Sequence, residues 1–300
     1  MRPAIQPING IILLNKERGI SSNRALQDTK KLIGAKKAGH GGSLDPEATG
    51  MLILCFGEAT KICPYLLDHH KTYHVVAELG VMTSTGDSEG EIIKRSKINT
   101  HSDEYWDKIL KGFLGDSFQT PPMYSALKQD GVRLYKLARQ GKEVERKQRK
   151  ICITSIKLEQ VTDNSIEFIV TCSKGTYIRV LVEDIIKSIG MVGHTKKLHR
   201  VGAGPFIANQ MLTSEALENE LANKHILESS YFLTADQALS DLNSVSLNIN
   251  EKKMFNNGQS IKHISSEEGP IRVYDEERKF LGIGINHQSE FLKPQRIFHL

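Results

Sequence analysis

The chain has 300 residues, 39% hydrophobic and 25% charged, with a formal net charge of +5. That length accommodates one large domain, or a large one and a small one, and the composition is too apolar for a disordered chain. No apolar run approaches the ~20 residues of a membrane span, and the mild excess of Lys and Arg permits a nucleic-acid partner.

The N-terminus, MRPAIQPING, has no apolar stretch of signal-peptide length, so a cytoplasmic protein is expected. Gly10 to Lys16 reads as an apolar strand, and Ser21 and Ser22 can cap a helix carrying Leu26, Leu32 and Ile33. The stretch GHGGSLDPEATG, residues 39–50, follows as a shaped loop, and Met51 to Phe56 reads as a buried strand. Ala59 to Leu67 has a helical pattern. In TYHVVAELGV, Tyr73, Val75, Ala77, Leu79 and Val81 alternate onto one face of a strand. TSTGDSEGEI is a turn-rich break, and 102–114 is an amphipathic helix with Trp106, Ile109, Leu110 and Phe113 on its apolar side.

QTPPMYSALKQDG reads as loop, and VRLYKLARQG as a helix closed by Gly141. Two strands are expected near 150–161 and 165–173. A helix over 176–189 has Ile178, Leu181, Val182, Ile185, Ile186 and Ile189 on one stripe, with Tyr177 and Arg179 on its two flanks. Beyond 211 the chain is polar and helical. From about Val245, short strands with Gly258, Gly269, Gly282 and Gly284 indicate a small β-rich unit, giving expected domains of 1–244 and 245–300. Consecutive strands without intervening helices favour α+β with a mixed central sheet over a doubly wound parallel one.

The loop at 39–50 fails three common tests. Gly34 to Gly39 has P-loop spacing, but His40 and Gly41 stand where Lys and Ser/Thr are needed. Gly39-His40-Gly41 opens a dinucleotide fingerprint, but Leu44 replaces its third glycine. Gly41-Gly42-Ser43-Leu44 is followed by Asp45, which weighs against a nucleophile elbow. Asp45-Pro46-Glu47 fits a helix N-cap, yet Gly50 stops any helix almost at once, so both a cap and a functional carboxylate stay open.

Basic residues cluster at Lys30, Lys31, Lys36 and Lys37, at Arg146, Lys147, Arg149 and Lys150, and at Lys196, Lys197, His199 and Arg200. One cluster is ordinarily a solvated face, and three, one of them beside an odd loop, favour a polyanion. Cys55, Cys63, Cys152 and Cys172 show no C-x-x-C spacing and read as core thiols, so no metal and a reducing compartment are expected. Arg179 is a candidate partner to keep Asp45 ionised, and Tyr73 is a flat aromatic able to stack on a base.

The blocks GHGGSLDPEATGML, GEATK, KTYHVVAELG, QTPPMYSALKQDGVRLYKLARQG, KGTYIRVLVEDI and HTKKLHRVGAGPF, in this order, resemble the TruB family of tRNA pseudouridine synthases. The resemblance covers nearly the whole chain. It implies a pseudouridine synthase catalytic domain, a PUA-like RNA-binding C-terminal domain, and conversion of uridine 55 in the tRNA T-loop to pseudouridine after base flipping. The family's catalytic aspartate falls on Asp45, which attacks C1′ or acts as a base toward C2′; both routes remain open. Tyr73 matches the tyrosine stacked on the flipped base, Tyr177 the tyrosine near C5, and Arg179 the arginine paired with the aspartate. His40, Lys61 and Leu198 match substrate-binding positions. The resemblance implies no metal, no organic cofactor and no obligatory protein partner, with the tRNA T-arm as the partner. The family's usual Thr beside Gly42 is missing, which makes the loop more flexible, and charged residues often found at Met82 and Ser84 are absent. The main rival is a non-catalytic RNA-binding or tRNA-folding protein on the same scaffold. A guide-RNA-directed synthase and a hydrolase using Ser43 or Asp45 rank below it.

Overall fold

A computed structural model describes residues 7–263, 268–287 and 290–299. The elements run β1 (Gly10–Lys16), α1 (Ser22–Leu32), β2 (Ala38–His40), β3 (Thr49–Phe56), a 3-10 turn (Gly57–Ile62), α2 (Cys63–Asp68), β4 (Lys71–Leu79), β5 (Val81–Thr83), β6 (Ile92–Arg95), α3 (Asp103–Lys111) and β7 (Gly115–Gln119). There follow β8 (Lys128–Gln129), β9 (Val132–Arg133), α4 (Leu134–Ala138), β10 (Arg149–Val161), β11 (Ser165–Cys172), α5 (Ile178–Lys187), β12 (Gly193–Ala203), β13 (Phe206–Ile207) and α6 (Ser214–Asn223). The C-terminal part comprises β14 (Ser244–Leu247), α7 (Ile249–Asn256), β15 (Ile261–Lys262), β16 (Gly269–Asp275), β17 (Phe280–His287) and β18 (Phe291–Ile297).

The central sheet has nine strands in the order β1-β3-β12-β4-β11-β10-β7, with β2 added to β3 and β13 to β12. Its pairs are antiparallel except β12 with β3, which is parallel. This is the mixed α+β sheet expected. A second, five-stranded sheet, β14-β16-β17-β18-β15, forms the C-terminal part.

Burial explains the strand patterns. On β3, Met51, Ile53 and Cys55 face one core with Ile62, Leu66, Phe280 and Phe298, while Leu52, Leu54 and Phe56 face another with Ala25, Leu26 and Leu217. A strand covered on both sides loses the polar alternation and reads as a continuous apolar run. On β4, Val75, Ala77 and Leu79 face only the α3 and α5 side, where Trp106, Leu110, Val182 and Ile186 bury them. Each such side chain contributes roughly 1.5–3 kcal/mol by leaving water.

Three departures from expectation have physical causes. The 176–189 helix starts at Ile178, because Tyr177 is extended (φ −94, ψ 107) and its N–H and C=O both bind the Gln119 side-chain amide, at 2.8 and 3.1 Å. The 102–114 helix ends at Lys111, and the chain then forms β7 against β10. The C-terminal unit is not wholly β: Asn248 and Glu251 form a reciprocal capping box that starts α7, and Gly258 follows that helix rather than a strand. The signal was present as Asn-x-x-Glu before Met254 and Phe255.

Candidate active site

Asp45 stands in no helix. Its carbonyl accepts from Ala48 N–H at 3.1 Å, closing a single turn, so the cap reading fails. The loop around it is held at successive residues. Gly41 N–H donates to Ile53 O at 2.9 Å. The Ser22 hydroxyl donates to Leu44 O at 2.9 Å and accepts from Leu44 N–H at 2.7 Å. Pro46 O accepts from Gly19 N–H at 2.9 Å and from Lys16 Nζ at 3.1 Å. Arg200 donates to the carbonyls of Gly42 at 3.0 Å, Ser43 at 3.4 Å and Met51 at 2.5 Å. The main chain is thereby fixed on both sides of Asp45 while its side chain remains 45% exposed.

Two of the loop's glycines are required by the protein's own packing. A Cβ on Gly41 would lie 2.8 Å from Leu66 Cβ, and one on Gly50 (φ +96) would lie 2.3 Å from the Arg200 carbonyl oxygen. Only a residue without a side chain lets the loop lie this close to α2 and β12.

Arg179, at the second position of α5, is buried. Its Nη2 reaches Asp45 Oδ2 at 2.9 Å and donates to Tyr124 O at 2.7 Å. Its Nη1 donates to Thr85 O at 2.7 Å and lies 3.5 Å from Asp87 Oδ2. Asp87 is itself fixed, accepting from Thr85 Oγ1 at 2.5 Å and Glu89 N–H at 3.1 Å. Asp87 lies in the turn-rich break TSTGDSEGEI and is not among the site residues expected from the sequence. Beside this pair opens a cavity of about 230 Å3, lined among others by Asp45, Tyr73, Tyr177, Arg179, Leu198 and Arg200. Burial raises the Tyr73 and Tyr177 phenols above their ordinary range, so both stay protonated at neutral pH.

The structure thus brings together Asp45, Tyr73, Tyr177, Arg179 and Leu198. His40 lies on β2, outside the cavity lining, with Nδ1 buried and unpartnered among the described residues; burial and the nearby Arg200 lower its basicity. Lys61 is a correction. It sits at the end of the 3-10 turn, donates to Glu58 Oε2 at 2.5 Å and to Ile297 O at 2.6 Å, and stands 5.5 Å from the Phe298 ring centre. The turn's outer side is covered by the C-terminal strand β18, and Lys61 joins the two sheets rather than lining the cavity. Arg200 falls in a basic cluster of the sequence, whereas on β12 it is buried to 2% exposure while Lys196 and Lys197 stay outside. Two irregularities in the β12–β4 register, between Thr195 and Lys197 and between Arg200 and Gly202, flank the segment that aims Leu198 and Arg200.

Among the described residues no group of three or more His, Cys, Asp or Glu could hold a metal ion, and no helix is long and apolar enough to cross a membrane. The four cysteines are free.

Two solved structures share the fold over 97% of this chain and 85% of theirs: a Cbf5-Nop10-Gar1 complex, with a TM-score of 0.76 at 21% identity, and an H/ACA RNP bound to a substrate RNA containing 2'-deoxyuridine, with a TM-score of 0.74 at 19%. These two likenesses show the fold, and the class, an enzyme of the pseudouridine synthase kind, follows from the sequence relatives. The family model for the N-terminal domain of TruB family pseudouridylate synthases matches residues 30–178, and that for the pseudouridine synthase II TruB C-terminal region matches 244–298. The tRNA pseudouridine synthase B of Nitrosococcus oceani is 43% identical over 97% of this chain and 95% of its own length. That of Legionella pneumophila (strain Lens) is 46% identical over 92% and 91%. The chain belongs to the TruB family of pseudouridine synthases.

Proposed function

We propose that this enzyme converts uridine 55 of the tRNA T-loop to pseudouridine in the cytoplasm, with Asp45 as its essential carboxylate. The observation that carries the reading is the Asp45–Arg179 contact at 2.9 Å on the edge of a cavity large enough for one flipped base. A uridine in a stacked loop cannot present C1′ to a carboxylate, so the nucleotide is extruded into the cavity. Tyr73 stacks on the base, Leu198 packs its other side, and Tyr177 stands toward C5. Arg179 holds Asp45 ionised and aimed, and Asp87 steadies Arg179 from behind.

Asp45 either attacks C1′, forming an ester as the C1′–N1 bond breaks, or takes a proton from C2′ to release the base through a glycal. The base then turns, C5 bonds to C1′, and the C5 proton leaves. The reaction is redox-neutral. His40 serves as an RNA contact outside the cavity wall, and the unit 245–300 serves as an RNA-binding PUA-like domain joined to the catalytic part through Lys61 and β18. Lys61 is left out of the substrate contacts.

Tritium release from tRNA labelled at uridine C5 tests the reading. Wild type is expected to release tritium and Asp45→Asn to release none. Tight binding of tRNA with no release by wild type would return the chain to a non-catalytic RNA-binding role.

A further inference from the structure

Arg200 and Lys71 are buried cations, at 2% and 7% exposure, and both line the cavity. Each is held by main-chain carbonyls: Arg200 by those of Gly42, Ser43 and Met51, and Lys71 by those of Leu66, Leu67 and His69 at 3.0, 2.7 and 2.7 Å. Neither belongs to any ion pair recorded among the described residues, whereas Arg179 has both Asp45 and Asp87. The two stand behind the same piece of wall. A Cβ built on Gly42 would lie 3.8 Å from Arg200 Nη1 and 3.8 Å from Lys71 Cε.

Burying a cation without a counter-ion is costly, and two together repel each other. Burial, with Arg200 adding to it, lowers Lys71 to about 8, which still leaves it largely protonated at pH 7. Neutral donors would satisfy the same carbonyls at less cost. The arrangement makes physical sense if an anion forms in the cavity during the reaction.

We propose that Arg200 and Lys71, behind Gly42, are the counter-charge for the base anion released from C1′. The inference rests on the pseudouridine reading above. Whether Asp45 attacks C1′ or removes the C2′ proton, the C1′–N1 electron pair leaves with the base, and Asp45 loses its charge as an ester or an acid. The negative charge therefore moves from the Arg179 side of the cavity onto N1, O2 and O4 of uracil. When C5 attacks C1′ the pair is spent in the new C–C bond and Asp45 becomes a carboxylate again, as the ester C–O bond breaks or as its proton returns to C2′. C5 then loses its proton to solvent and N1 takes one up, so the reaction balances as an isomerisation. Cations lying where the charge arrives favour the transition state over the bound substrate, which raises the rate without tightening ground-state binding. Arg200 acts on the base through its charge and on Asp45 through the loop carbonyls it holds.

The test compares single-turnover consumption of two tRNAs, one with uridine and one with 5-fluorouridine at the target. Fluorine makes the base anion easier to form, so a lost counter-charge matters less for the second RNA. Arg200→Met is expected to slow uridine consumption about 100-fold, the scale of one lost electrostatic stabiliser, and 5-fluorouridine consumption about tenfold or less. RNA affinity should stay within about threefold, and Arg200→Lys should recover most of the rate. Lys71→Met makes the same comparison if Arg200→Met does not fold. Equal slowing on both RNAs would reduce the residues to scaffolding and overturn the proposal. Weakened binding with unchanged rate would overturn it in favour of a phosphate contact. If wild type converts neither RNA, the pseudouridine reading itself falls.

Discussion

Asp45 and Arg179 meet at 2.9 Å with opposite exposures: the arginine side chain is 6% exposed and the carboxylate 45%. The arginine is committed to the protein, with Thr85 and Tyr124 carbonyls and Asp87 around it, while the aspartate keeps one side for a substrate. Asp45→Asn preserves shape and a hydrogen bond to Arg179, so the fold should persist. Turnover should vanish. RNA affinity should stay within about tenfold of wild type, because phosphate contacts dominate binding. Gel-shift and tritium-release measurements on one preparation separate the two effects, and retained turnover would remove Asp45 from its role.

Arg179→Ala should behave differently. It leaves two carbonyls and the Asp87 carboxylate without their partner inside the protein, a loss of roughly 3–5 kcal/mol when a buried pair is broken. A lowered urea midpoint together with lost turnover is expected. Asp87→Asn, which retains a polar group beside Arg179, should cost less stability and reduce kcat more than it raises KM. If Asp87→Asn turns over like wild type, Asp87 is only a structural neighbour.

Ser22 holds both polar groups of Leu44 from the first turn of α1. Ser22→Ala should cost about 1–3 kcal/mol, the penalty for buried groups left unsatisfied. It should also lower kcat, since Leu44 directly precedes Asp45. A stability loss with kcat intact would mean the remaining anchors, Arg200 and Lys16, suffice to hold the loop.

What could be read from the sequence followed from how each segment meets its surroundings. β3 and α5 announce themselves because their burial is apolar and regular. β12 does not, although it lies inside the sheet between β3 and β4. Six of its eleven residues are His, Thr, Lys or Arg, and two of its buried polar side chains are satisfied by distant groups, His194 Nδ1 by Val81 O at 2.9 Å and Arg200 by the Asp45 loop. A polar strand with long-range partners has no local signature. The Asp45–Arg179 pair was a candidate from residue type and loop shape, and the resemblance strengthened it. Asp87, Gln119 and the buried place of Arg200 depend on contacts between segments far apart in the chain, which no spacing within one segment encodes. Lys61 was misplaced because its block matches a family motif whose position carries no direction for the side chain.

Lys16 offers a pH test of the loop anchor. It is fully buried and donates to the carbonyls of Glu17, Ile20 and Pro46 at 2.7, 2.8 and 3.1 Å. Burial lowers its pKa from 10.5 to about 8, partly opposed by Asp45 and Glu47. The folded state therefore releases this proton before the unfolded chain does. Between pH 8 and 10.5 the unfolded chain binds more protons, and stability contributed by this group rises with pH, by up to about 1.4 kcal/mol per unit. Below pH 8 both states are charged and the contribution is flat. Lys16→Met removes the titration, so wild type should gain on the variant as pH rises through that window, measured by urea unfolding at each pH. Parallel curves for the two proteins would mean that the carbonyls hold the ammonium charged, and that Lys16 anchors Pro46 as a cation at every pH in the window.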